Sequence, residues 1–531
     1  MVRTVKTLDD LTDELQKAGF SLSRSAVYLR LQPRNIRSQE GKRHVTTAPV
    51  KLARCRNDKH SAHQDGKFAR ASISYLEELS SALGPEEVTF HSQDDKARVP
   101  IGITAAQKQS PLLLSMEYKV TLSDHDFVVA PSHKLIPSVI AGIDINKDTK
   151  EAVTYSGPTY VALRSAKHSS STAFAHLHDM KRIHELDQFK RDLYDQNGLV
   201  KPIFICTVDG GPDENPRYHN TIRCAVDYFC TYDLDALFLA TNAPGRSAFN
   251  RVERRMAPLS HDLAGLVLPH NHFGDHLDNS GNTKDEDLER KNFAHAGKTL
   301  AEVWSDTVID GHPVVAEYVE DVATTDIQSK DASWHSVHVR ESQYFLQIVK
   351  CSDTSCCKPM RSSLLTVLPS RFIPAPVPLK QTPDGLKFDM NGSFPSIWLN
   401  QTISTPSGTV FPDRVKRKFP SCLPYDLACE SIQESLVRRT CKCCNLYFAS
   451  IKSMNIHAKD CHKNEEPRKR VRPTRLAARR QCELMCVIAN ELEWMDEEDV
   501  DTENLAAPPQ MQRTAGTPVI RVQERQLPWE A

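Results

Sequence analysis

The chain has 531 residues, 40% of them hydrophobic and 25% charged, with 67 basic and 68 acidic side chains. That is too apolar for a wholly disordered polymer and long enough for about three or four domains. No run of about 18 apolar residues occurs, and the opening MVRTVKTLDD has no signal-peptide core, so the expectation is an intracellular, non-membrane protein. Its 15 cysteines, an odd number scattered along the sequence, fit reduced thiols and metal ligation better than a disulfide framework.

In chain order, residues 1–35 read as a helix-turn-helix. Thr7 can cap a first helix whose Leu8, Leu11 and Leu15 share one face, and Gly19 stands where a left-handed residue ends it. Ser21 or Ser23 can start a second helix that turns Ala26, Val27, Leu29 and Leu31 inward. Arg24, Ser25, Tyr28 and Arg30 then point outward as candidate DNA-binding residues. An antiparallel helical hairpin gives the same pattern. Residues 36–80 form a basic linker followed by a helix. Residues 1–70 together carry 15 Lys or Arg against 7 Asp or Glu, suited to a phosphate backbone.

Residues 81–345 read as an α/β core with polar insertions. VTFHSQDD is a short strand ending in carboxylates. KPIFICTVD, a helical pattern in RYHNTIRCAVDYFCTYDLD, and ALFLATN make the strand, crossover helix and strand of a parallel unit. Next comes a helix that Ser247 can cap, with Phe249, Val252, Met256 and Leu259 on one side and Glu253 on its surface. A lone carboxylate at a strand end is ordinarily a cap or turn residue. Here Asp94 or Asp95, Asp209 and Glu253 follow one another at positions that a parallel sheet brings to one edge. Grouped there, they could hold magnesium for an in-line displacement at phosphorus.

The blocks SQDDKARVPIG, VDGGPDENPR and NAPGRSAFNRVERRMAPLS resemble the catalytic blocks of DDE transposases. Those enzymes belong to the RNase H-like integrase superfamily, and the likeness is strongest to mariner-type and related insertion-sequence members. It covers about residues 86–265. It implies an α/β fold with an RNase H-like mixed sheet, and catalytic Asp94 (Asp95 as fallback), Asp209 (Asp213 as a weaker choice) and Glu253, with Asn250 in an N-x-x-E arrangement. It further implies Mg or Mn as cofactor, element ends and target DNA as partners, and metal-dependent DNA cleavage and strand transfer, and it leaves a homo-oligomer open. The stretch from Asp209 to Glu253 is longer than in compact mariner-type enzymes. The alternatives are a domesticated, non-catalytic nuclear DNA-binding protein and a zinc-finger regulator of transcription.

Residues 346–436 are rich in proline and read as extended, surface-wrapping chain. Two smaller polar clusters flank the end of the core: HNH at 270–272 with His276, and Cys351, Cys356 and Cys357 with His335 and His338 upstream. The second is a candidate zinc set whose closing pair is not evident from spacing.

Residues 437–463 contain CKCCNLYFASIKSMNIHAKDCH, the spacing of a small ββα zinc finger. Cys441, Cys444, His457 and His462 are the expected zinc ligands, with Cys461 able to replace His462 and Cys443 able to compete with Cys444. Phe448 and Met454 would supply its core. Residues 464–531 combine a basic segment, with 8 Lys or Arg against 2 acids over 463–480, and an acidic tail. A basic block beside a finger suits phosphate contact or nuclear import, and the nucleus is the expected location.

Overall fold

The computed structural model describes residues 6–17, 19–20, 22–24, 26–27, 50–51, 63–103, 105, 129–130, 132–147, 149, 152–246, 249–263, 266–320, 327, 330–403, 410–419 and 423–461. Leu8–Lys17 forms the first helix, α1. Gly19 adopts φ 88°, its N–H donates to Gln16 O at 3.0 Å and that of Phe20 to Leu15 O at 2.9 Å, closing the helix as a left-handed residue should. Ser23 Oγ then accepts from the Ala26 N–H at 3.2 Å, the capping bond of a new turn containing exposed Arg24 and buried Val27. Ser25, Tyr28 and Arg30 lie outside the described residues.

Gly66–Leu83 (α2) leads into a mixed sheet. Its central strands are Val88–Asp95 (β1), Lys134–Gly142 (β2), Thr159–Ser165 (β3), Ile203–Val208 (β4) and Ala236–Thr241 (β5). Strands β1, β2 and β3 pair antiparallel in sequence, whereas β1, β4 and β5 lie parallel side by side. His312–Tyr318 (β6) extends one side, parallel to β3. Phe345–Val349 (β8) pairs antiparallel with β5 on the other side and carries Val339–Glu341 (β7) at the margin. This is a mixed α/β sheet compatible with an RNase H-like core. The sheet takes in residues up to Val349, beyond the expected boundary at 345.

Helices cover both faces because the five central strands are buried on both sides. One face packs α2, Glu253–Asp262 (α5) and Glu286–Ser305 (α6) through Leu76, Leu79, Met256, Leu259, Phe293 and Trp304. The other packs Ala173–Arg182 (α3) and His219–Thr231 (α4) against Phe204, Cys206, Leu237 and Leu239. Between them Arg164 of β3 and Asp179 of α3 form an ion pair with both side chains fully buried, and Arg164 also donates to Ser138 Oγ of β2 at 2.9 Å.

The proline-rich stretch differs from the expectation. It does run along the core, but Leu364, Leu368, Ile373, Val377, Leu379 and Ile397 are all buried in the main clusters. The apolar residues between its prolines supply the burial that makes it part of the packed body. No helix among the described residues is long and apolar enough to cross a membrane.

Removing one partner of a buried ion pair leaves the other charge uncompensated, at a cost of about 3–5 kcal/mol. Asp179→Ala should lower the urea unfolding free energy by that much, and the paired Arg164→Met/Asp179→Leu replacement by clearly less. Equal losses in the two variants would show that packing volume, rather than charge, is what the pair supplies.

Candidate active site and zinc finger

Two adjacent parallel strands carry the aspartates. The register pairs Ser92 of β1 with Thr207 of β4, so two residues further on Asp94 and Asp209 stand level with each other. Side chains alternate across a sheet, which puts Val88, Phe90, Ser92 and Asp94 on one face with Ile203, Ile205, Thr207 and Asp209. That is the face α5 covers: Phe90, Ile205, Val252, Met256 and Leu259 share one cluster.

A buried polar latch fixes the start of α5. Ser92 Oγ donates to Asn250 Oδ1 at 2.6 Å and accepts from the Val252 N–H at 3.0 Å. Thr207 Oγ1 lies 3.0 Å from both Ser92 Oγ and Asn250 Oδ1, and Asn250 Nδ2 donates to Gln93 O at 3.0 Å. Asn250 therefore joins β1, β4 and the helix entrance, and Glu253 emerges three residues later as the first residue of α5. The helix expected from Ser247, which lies outside the described residues, starts at Glu253, led in by turns in which the Glu253 N–H donates to Asn250 O and the Arg254 N–H to Arg251 O, both at 3.3 Å. Phe249, expected on the apolar side, is 58% exposed.

Electrostatics join the three acids. Burial, reinforced by Asp209, Glu214, Glu253 and Asp95, pushes the Asp94 carboxyl up to about 8. Burial likewise raises Glu253, with Asp209 adding repulsion while Lys96 and a hydrogen bond from Asp94 oppose it. Lys96 is itself buried, donates to Ser260 Oγ and feels Glu253. The oxygens of the three acids do not all lie within 4.8 Å of one another. Hard carboxylate oxygens are nonetheless the donor type that suits Mg or Mn.

Asp95 turns to the opposite face. It accepts from Ser138 Oγ at 2.6 Å and groups with His176 and Asp213 within 4.8 Å. His176 sits 3.3 Å from Asp213 and 3.4 Å from Glu214. Glu214 in turn accepts from Gln93 Nε2 at 2.8 Å and from the Asp209 N–H at 3.1 Å. Both Asp95 and Asp213 thus belong to a buttress behind the trio.

Sequence reasoning passed over three arginines around the start of α5. The Arg254 guanidinium lies 3.5 Å and that of Arg251 4.6 Å from the centroid of the Tyr155 ring, and Arg246 lies 4.9 Å from that of Phe249. The dense arginines of GRSAFNRVERR were the available signal.

At the finger, ligand atoms of Cys441, Cys444, His457 and Cys461 lie within 4.8 Å of one another, and Cys444 Sγ is 3.1 Å from His457 Nε2. Asn445 takes φ 58° in the knuckle, and Ile451–Cys461 (α8) brings in His457 and Cys461. Cys443 is exposed and outside this group, and His462 lies outside the described residues. The two strands of the expected ββα unit reduce to one antiparallel bridge, Thr440↔Tyr447, among the described residues. Its core differs too. Phe448 is half-buried with its ring 4.8 Å from that of His457, whereas Tyr447 and Ala449 are buried. Tyr447 donates to Asp426 at 2.6 Å and the Ala449 N–H to Glu341 at 3.2 Å, seating the knuckle on the main body.

No family model matches the chain, and no curated protein does. Among solved structures it is similar to the Mos1 mariner paired-end complex with Mn, at 14% identity over 56% of this chain and 72% of that one, with a TM-score of 0.27. The Mos1 transposase paired-end complex with left transposon end is 12% identical, covering 57% and 79% of the two chains, TM-score 0.27. The Mos1 Strand Transfer Complex is 12% identical, covering 57% and 78%, TM-score 0.24.

The raised Asp94 carboxyl has a measurable consequence. A group whose folded pKa rises from 3.8 to about 8 contributes stability that is present below pH 3.8 and is lost as pH climbs through about 8. The melting temperature of the wild type, relative to Asp94→Asn, should fall between about pH 4 and pH 8 and level off above it. Mn²⁺ should restore it in the wild type alone. A wild-type curve parallel to that of Asp94→Asn would refute the coupling.

Proposed function

We propose that this chain is a transposase-like DNA-binding protein that cleaves DNA and transfers strands with Mg²⁺ or Mn²⁺ held by Asp94, Asp209 and Glu253. One observation carries the reading: β1–β4 register and the Asn250–Ser92–Thr207 latch deliver three separate acids to one face of one sheet. Bound divalent ions would activate the attacking oxygen and stabilise the leaving one.

The chain's own groups do the rest. Asp94 and Asp209, level on neighbouring strands, present oxygens from a rigid edge. Asn250 sets the height of Glu253, and Lys96 tempers the charge of Glu253. Arg246 and Arg254 would offer guanidinium groups to phosphates, while Arg251, paired with Glu77 at 2.7 Å, would hold Tyr155 and the start of α5 in place. The N-terminal unit, through Arg24, Ser25, Tyr28 and Arg30, would read element ends. Zinc on Cys441, Cys444 and His457, closed by His462 or Cys461, would stabilise the finger, and the protein would act in the nucleus.

With a magnesium-containing plasmid assay, Asp209→Asn should lower nicking about a hundredfold or more while leaving DNA affinity in calcium unchanged. DNA binding with no nicking and no divalent ion bound at the trio would instead identify a domesticated, non-catalytic derivative.

Arg254→Ala should weaken binding to all DNA sequences alike and reduce the slope of log affinity against log salt by about 1. Unchanged slope in a salt titration would remove Arg254 from the DNA path.

A further inference from the structure

A second cluster of soft ligands lies far from both sites in the sequence. Cys351, Cys356 and Cys357 follow the last core strand, β8, and His338 ends the helix Ala332–His338 (α7). Their four ligand atoms lie within 4.8 Å of one another, and the three cysteines are free thiols. We infer that His338, Cys351, Cys356 and Cys357 form a structural zinc site of three thiolates and one imidazole.

The distances among His338, Cys356 and Cys357 are close to those of one face of a tetrahedron. With Zn–S near 2.3 Å and Zn–N near 2.0–2.1 Å, sulfurs stand about 3.8 Å apart, and nitrogen and sulfur about 3.6 Å. His338 Nε2 is 3.3 Å from Cys357 Sγ and 3.6 Å from Cys356 Sγ, and the two sulfurs are 4.0 Å apart.

The surroundings hold each ligand in a binding posture. His338 Nδ1 donates to Trp334 O at 2.8 Å, which leaves the Nε2 lone pair facing the thiols. Trp334 stacks on the same ring at 4.2 Å and 10°. The Asp353 carbonyl accepts both the Cys356 and Cys357 N–H groups, at 3.0 and 2.9 Å, and Asp353 Oδ1 accepts from the Ser355 N–H at 2.9 Å. This turn points two consecutive thiols at one spot.

Charge balance agrees. Three thiolates and Zn²⁺ sum to one negative charge, and the Arg371 guanidinium, which feels Cys351 and Cys357, donates to Val349 O at 3.1 Å beside them. Soft sulfur with imidazole selects zinc over magnesium or calcium.

The site closes a loop in the fold. It ties the end of α7 to the exit of β8, and so clamps the β7–β8 hairpin that continues the sheet beyond β5. Helix α7 has only seven residues, with Val337 41% exposed. So short a helix with so little buried surface gains much from a metal staple.

The test is zinc content of the purified full chain by elemental mass spectrometry. About two ions per chain are expected, one from each cysteine-rich cluster. Cys441→Ser/Cys444→Ser should keep about one, and cobalt-loaded protein of that variant should show tetrahedral d–d bands with thiolate charge transfer. Cys356→Ser/Cys357→Ser should lose one ion, whereas His338→Cys, which preserves a tetrahedral donor set, should keep it. Cysteine-to-serine replacement at 356 and 357 that leaves zinc content at the wild-type level overturns the assignment, as does a mapped disulfide between Cys351 and Cys356. Neither result touches the strand-transfer reading, which rests on other residues.

Discussion

Negative charge concentrated where water is scarce is the constraint on which this molecule turns. Asp94 and Glu253 stand beside Asp209 at one sheet edge, and burial together with the Asp209 charge disfavours the ionised forms of Asp94 and Glu253. Such an arrangement persists only when the surrounding structure over-determines it. The over-determination is visible in Ser92, Thr207 and Asn250, whose hydrogen bonds join two strands to the first turn of a helix. Behind them the Asp95, His176, Asp213 and Glu214 group, with Gln93, stiffens the opposite face of the same strands.

The remaining architecture serves that edge. Helices on both faces exclude water from the five central strands, so the register between β1 and β4 cannot slip without burying polar side chains and exposing apolar ones. The same packing extends outward. The proline-rich stretch fills grooves over α2 and the sheet margin, and Asp426 accepts from Ser342, the Gln343 N–H and Tyr447 to bind the finger's base to the body. The Cys/His knuckle is thereby a seated element of the fold instead of a bead on a linker.

Much of this was legible from local pattern. The strands around VTFHSQDD, KPIFICTVD and ALFLATN, the crossover helix and the stop at Gly19 all appear where alternation and turn chemistry put them. Ligand spacing at Cys441, Cys444 and His457 was equally readable, because a knuckle and one helical turn are set by neighbours in the chain. Less legible was the helix before Glu253. Apolar periodicity ran back to Phe249, but that ring is exposed and the helix starts only at Glu253. The proline-rich segment misled in the same way, since proline content reports backbone stiffness and says nothing about the groove its apolar residues enter.

The amino-acid sequence by itself determined which side chains can offer metal ligands and in what order they come, because donor type and short-range spacing are covalent facts. Only the tertiary structure decided that Asp94 faces the trio while Asp95 faces His176, that Cys461 stands with Cys441 and Cys444, and that His338 completes the group of Cys351, Cys356 and Cys357. Each of those outcomes depends on strand register or on the docking of a helix many residues away. Pairings of that kind are selected by the burial of the whole sheet, a quantity that no local window of sequence contains.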